Sequence, residues 1–160
     1  MYVQQGYNDD KNKQRRLITD FHGNGGSRTD QYENFQYYTY PHGEQYLVIG
    51  IDDLQFTSDL VAHILKNRSI EPSRIYASGK SNGGGFVSTL ACSSNGDEFA
   101  ASAMAALALY IDCNANRGIN VAPSCGGGRP RKILQAHGSN DQTIPYDALD
   151  NGYRHLPRIN

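Results

Sequence analysis

Hydrophobic positions along the chain come in short blocks, and blocks of period two alternate with blocks of helical period. After polar, turn-rich residues 1–15 with a loop at Tyr7-Asn8-Asp9-Asp10, Leu17-Ile18-Thr19-Asp20-Phe21 reads as the first strand. A glycine-rich loop, His22-Gly23-Asn24-Gly25-Gly26-Ser27, leads to a short helix near Thr29–Phe35. Pro41-His42-Gly43 marks a turn with His42 exposed, and Tyr46–Ile51 reads as a second strand. Asp52 and Gln55 have the spacing of a capping box, and the helix they open runs to about Asn67. Its apolar stripe is Leu60, Val61, Ile64 and Leu65, which leaves His63 on the surface. Ile75-Tyr76-Ala77 is a buried strand, and Phe86–Ala91 begins an apolar-faced helix. Ala100–Tyr110 fits either period, but the alternation favours a strand at Ala101–Ala105. Arg131–Ala136 is a further strand.

Strands alternating with helices specify an α/β fold with a mostly parallel sheet and helices on both faces. With 160 residues and 38% hydrophobic content, residues 1–160 make one domain able to bury a core. A net charge of −1 supplies no phosphate-tracking patch, so a nucleic-acid partner is not expected. No apolar run reaches the length of a membrane span, so no membrane partner is expected either. The first residues, Met1–Gly6, have neither the basic region nor the apolar core of a signal peptide. Cysteines stand at 92, 113 and 125 with no C-x-x-C pair, so neither a metal nor a cofactor is expected. Cys113 and Cys125 bracket a loop that a disulfide would close in an oxidising compartment, leaving Cys92 over.

Candidate chemistry concentrates between the third strand and the helix after it. Gly79-Lys80-Ser81-Asn82-Gly83 fits G-x-S-x-G, with a strand before it and a helix behind. Glycines on both sides of the serine allow a sharp reversal that lifts a hydroxyl to the sheet edge. Ser81 fits a helix N-cap equally well, and the pentapeptide alone does not choose. As a nucleophile it needs a base to take its proton, an acid to orient the base, and two N–H donors for the oxyanion. Asn82 supplies one donor, and Gly23 or Asn24 in the loop after the first strand the other. His22 is expected as a buried imidazole that ties this loop down. In this architecture the order is serine, acid, histidine, so Asp141, just past the last strand, is the acid. Asp141 also fits a turn-capping role before Ile144-Pro145. Only His155 follows it, fourteen positions on, with no room for a helix and a strand between.

Four motifs together carry a family resemblance: His22-Gly23-x-Gly25-Gly26, Asp52-Asp53-Leu54-Gln55-Phe56, Gly79-Lys80-Ser81-Asn82-Gly83-Gly84-Gly85, and His137-Gly138-x-x-Asp141-x-x-Ile144-Pro145-Tyr146. The chain resembles the fungal feruloyl esterases from Leu17 to Tyr146. These belong to the carbohydrate-esterase group that includes acetyl xylan esterases and is related to polyhydroxybutyrate depolymerases. The resemblance implies an α/β-hydrolase fold and an extracellular enzyme. It implies hydrolysis of hydroxycinnamoyl esters of plant-wall xylan, or of small aromatic esters, through an acyl-enzyme on Ser81. It also implies Asp141 as acid and Asn82 as an oxyanion donor. Members of the group are longer at both ends and place their histidine well beyond the acid. The expectation is therefore a shortened member in which His155 is a loop residue. Its alternatives are a catalytically impaired fragment lacking its base, and an acetyl xylan esterase or depolymerase-like hydrolase.

Overall fold

A computed structural model describes residues 13–36, 45–49, 54–108 and 130–146. Among these residues five strands form one wholly parallel sheet: β1 (Arg15–Phe21), β2 (Gln45–Ile49), β3 (Ile70–Lys80), β4 (Ala101–Ala105) and β5 (Ile133–Ala136). Their spatial order is β2-β1-β3-β4-β5. The described α-helices are α1 (Arg28–Phe35), α2 (Leu54–Asn67) and α3 (Asn82–Cys92), with a 3-10 helix over Ser94–Glu98. The chain first builds outward from β1 to β2, then returns across β1 to β3 and continues the other way. That reversal of direction opens a crevice at the carboxyl ends of β1 and β3, where ligands of such sheets bind.

Side chains alternate between the two faces, and the register shows what each face buries. Leu17 pairs with Ile75, Thr19 with Ala77 and Phe21 with Gly79. These residues face α2 and α3, where Val61, Ile64, Phe86, Val87 and Leu90 complete the core. Phe21 and Phe86 stack tilted, with ring centroids 4.7 Å apart. Burying side chains of this size contributes about 1.5–3 kcal/mol each. On the opposite face Ile18 pairs with Tyr76 and Asp20 with Ser78, and α1 packs there through Gln31. Helices thus cover both faces, as the sequence predicts.

Two elements differ from the sequence reading. β3 begins at Ile70, five residues before the strand read at Ile75, and passes through Glu71-Pro72-Ser73. Ile70 pairs with Arg15, and a register shift between Arg15 and Leu17 absorbs the extra residues. A proline has no N–H to donate, and such an irregularity tolerates it. In α2, Gln55 donates forward to Asp59 at 2.9 Å. Asp52, the other half of the capping box, lies outside the described residues. So do Cys113, Cys125, His42 and His155, together with the disulfide closure read for the first two. Cys92, read as left over, is instead disulfide-bonded. His63 is exposed on α2, and its carbonyl accepts from Asn67 at 2.7 Å. No described helix is long and apolar enough to cross a membrane, and no metal-ligating cluster occurs among the described residues.

Candidate active site

The turn between β3 and α3 puts Ser81 at φ 56°, ψ −118°, a backbone conformation that L-residues rarely adopt. Such strain costs on the order of 1–3 kcal/mol and persists only where neighbours over-determine it. Three backbone bonds do so: Ser81 N–H donates to Ala105 O at 2.9 Å, and Ser81 O accepts from Gly85 N–H and Ala108 N–H, both at 3.0 Å. The Ser81 hydroxyl makes no helix-capping bond. Of the two readings open in the sequence, the side chain therefore does not perform the N-cap. It sits half-exposed at the crevice, at the head of a helix whose amide dipoles favour negative charge.

The glycine after Asn82 is required by close approach. A Cβ on Gly83 would collide with the carbonyls of Phe21 and His22, so α3 can begin against the end of β1 only with glycine here. The contact continues in the loop beyond. An ideal Cβ on Gly23 would lie 3.3 Å from Ser81 Cβ and 3.8 Å from Ser81 Oγ. The loop that carries Gly23 and Asn24 thus abuts the serine directly through Gly23, while Asn24 is exposed beside it. His22 is half-buried rather than buried, and its Nδ1 bonds to the Gly23 carbonyl at 2.9 Å. That local tie fixes the loop's first peptide. Gly26 N–H donates back to Gly23 O at 3.0 Å and closes the turn. The loop ends in a capping box: Ser27 Oγ accepts from Asp30 N–H at 3.2 Å, and Asp30 accepts from Ser27 N–H at 3.0 Å.

Asp141 stands five residues past β5. Its Oδ1 accepts from Thr143 N–H at 2.9 Å and Ile144 N–H at 3.0 Å, so it does cap the turn. These backbone bonds hold the carboxyl below its ordinary pKa, helped by the fields of His137 and Lys80. Ser81 follows the carboxyl end of β3 and Asp141 that of β5, and because the strands are parallel the Ser81 elbow and the Asp141 turn leave from the same edge of the sheet. Oδ2 lies 3.7 Å from His137 Nε2, beyond hydrogen-bond reach. His137 Nε2 instead bonds to Ile144 O at 2.7 Å, and its ring lies 5.6 Å from that of Tyr146. The His137 side chain is buried in the turn's foundation.

One feature near the loop escaped the sequence reading. Asp20 is 1% exposed, on the face opposite the main core. Its Oδ1 accepts from Ser78 Oγ at 2.6 Å and its Oδ2 from Gln31 Nε2 at 2.8 Å. Burial pushes the carboxyl up to about 6, against the opposing pull of Ser78, Gln31, the Phe21 backbone and His22. The available signal was a carboxylate between Leu17-Ile18 and Phe21 in a strand, at a position where these apolar neighbours predict burial.

No family model matches the chain. The chain is 33% identical over 96 residues to feruloyl esterase B of Piromyces equi, which covers 60% of this chain and 17% of that protein. It therefore spans about a sixth of the curated relative's length. A thermophilic esterase of Thermogutta terrifontis, solved with propionate bound, superposes with a TM-score of 0.65 at 18% identity, covering 91% of this chain and 68% of that one. The same esterase phosphonylated by cyclosarin gives 0.66 at 17% identity, with 91% and 67% covered. MGS-M1, an α/β hydrolase from a Medee basin deep-sea metagenome library, gives 0.58 at 18% identity, covering 83% of this chain and 59% of that one. Agreement at this level over a parallel sheet of this order shows the architecture: the chain has the α/β-hydrolase fold.

Proposed function

We propose that the chain is a serine carboxylesterase acting through an acyl-enzyme on Ser81, and that its substrates are hydroxycinnamoyl esters such as the feruloyl esters of plant-wall xylan. The observation that carries this reading is the strained Ser81 backbone, pressed against Gly23, with a hydroxyl not used for helix capping. In the proposed reaction Ser81 Oγ attacks the ester carbonyl as a base removes its proton. The N–H groups of Asn82 and of Gly23 or Asn24 receive the oxyanion. The alcohol leaves with that proton, and water then releases the acid by the reverse sequence. Asp141 orients the base through Oδ2, the oxygen its turn leaves over. The aromatic acyl preference rests on the similarity to feruloyl esterase B, and an extracellular setting on the sequence resemblance.

The base is the open member of the triad. His137 is committed to Ile144 O, and within residues 1–160 His155 is the histidine that follows the acid. The second reading, an impaired esterase without a base, rests on how closely His155 follows Asp141. Hydrolysis of methyl ferulate and of p-nitrophenyl acetate separates the two. Turnover lost on the order of 10⁴-fold or more in both Ser81→Ala and His155→Ala supports the esterase with His155 as base. Only trace turnover, equal in wild type and Ser81→Ala, establishes the impaired form. Robust turnover that survives Ser81→Ala overturns the proposal.

A further inference from the structure

Asp20 lies where three segments meet. It stands at the carboxyl end of β1, two residues ahead of His22, the residue that opens the glycine loop. Gln31, its partner at 2.8 Å, is in the first turn of α1, immediately beyond the loop. The Asp20–Gln31 bond therefore closes the base of the loop. The same Gln31 amide also donates to Phe21 O at 3.4 Å, the carbonyl against which Gly83 packs. Ser78, the other partner at 2.6 Å, sits on β3 three residues before Ser81. One carboxylate thus joins the strand feeding the loop, the helix leaving it, and the strand feeding the elbow.

We propose that Asp20 is a positioning residue, whose carboxylate sets the placement of the Gly23 N–H against Ser81 by clamping both ends of the loop to the strand of the nucleophile. The inference rests on the esterase reading of Ser81. A hydrophobic residue at this buried position would serve the core without the desolvation cost of a carboxyl. What the carboxylate adds is direction. It accepts two hydrogen bonds at once, and bonds to an ionised acceptor are about twice as strong as neutral ones. The titratable group acting on it is His22, while α1 and β3 present the neutral Gln31 and Ser78. Protonation makes one oxygen a donor, weakens both bonds and loosens the loop. With the carboxyl raised to about 6, that change falls within an accessible pH range.

The amide of Gly26, bonded to Gly23 O, reports on the loop without any substrate. Hydrogen exchange of the full chain at pH 5 and pH 7.5, corrected for intrinsic rates, should show Gly26 protection rising on the order of fivefold as Asp20 ionises. Asp20→Asn should keep it at the lower value at both pH values. Ser78→Ala keeps the carboxyl and removes its β3 partner, so protection at pH 7.5 should fall while its pH dependence persists. In turnover of p-nitrophenyl acetate, Asp20→Asn should lower kcat on the order of tenfold with KM within about twofold. Gly26 protection that is independent of pH in wild type and unmoved by Ser78→Ala overturns the proposal, even if Asp20→Asn fails to fold. Loosened exchange in Asp20→Asn with unchanged kcat also overturns it, because the residue would then be merely structural. Absence of wild-type turnover refutes the active-esterase reading in favour of the impaired form, and the exchange arm still decides whether the clamp exists.

Discussion

The loops after β1 and after β5 are each held by an aspartate, and the two carboxyls are kept in opposite ways. Asp20 is buried between β1, α1 and β3, and its pKa is pushed up to about 6 by loss of solvent. Asp141 sits in an open turn, and two backbone N–H groups pull its pKa down. Burial makes the first a fixed internal strut, while solvent contact leaves the second's remaining oxygen available. A residue type alone therefore says little about role; what surrounds the carboxyl decides it.

The contrast is open to direct test. The largest effect is expected from Asp141→Asn, which should lower kcat for an aryl ester on the order of 10⁴-fold, as loss of a triad acid does. Folding should be nearly unchanged by circular dichroism, because the Asn carbonyl still accepts from Thr143 and Ile144. A loss of cooperative melting in that variant would make Asp141 chiefly a structural cap.

On the packed side, Gly83→Ala should cost about 3 kcal/mol in urea unfolding, at the upper end for overpacking, because its Cβ meets backbone that cannot step aside. A cost below about 0.5 kcal/mol would mean that the join between α3 and β1 is loose.

The third test is of pH and stability. Against the unfolded chain, where its carboxyl is solvated, Asp20 binds its proton more tightly, so its contribution to global stability is present at low pH and is lost as pH rises from about 4 to about 6. Local opening of the loop is the opposite case: it leaves the carboxyl buried and breaks only the bonds that lower its pKa, so there ionisation favours the closed form. A shift from 3.8 to about 6 corresponds to roughly 3 kcal/mol, to order of magnitude. Asp141, with a lowered pKa, contributes stability above its ordinary range and loses it as pH falls through the folded value. The dependence of urea midpoints on pH, from about pH 4 to pH 7.5, should therefore flatten in Asp20→Asn. An identical slope in wild type and variant would remove Asp20 as the source.

The elbow was legible in the sequence because every signal there is local. Ile75-Tyr76-Ala77, the glycines around Ser81 and the apolar helix behind them fix strand, turn and helix without reference to distant residues. The start of β3 was not legible, since Glu71-Pro72-Ser73 reads as a break until Ile70 is seen paired with Arg15. Asp20 was missed for a related reason. Its neighbours in sequence announce burial, but its partners Gln31 and Ser78 come from another helix and from a strand 58 positions away. Strand alternation shows that a side chain faces inward and is silent about what it meets there.

The order of the strands has a last consequence for distance. β4 separates the strand of Ser81 from that of Asp141, so the roots of their two loops stand two strand spacings apart, about 10 Å. Neither side chain spans that width alone, so in the proposed reaction the base is the group that would bridge it from above. The exit of β4 beneath, Ala105-Ala106, offers nothing taller than methyl groups. The rim thus has a low saddle between its two posts, with the width of one aromatic ring and its hydrogen bonds.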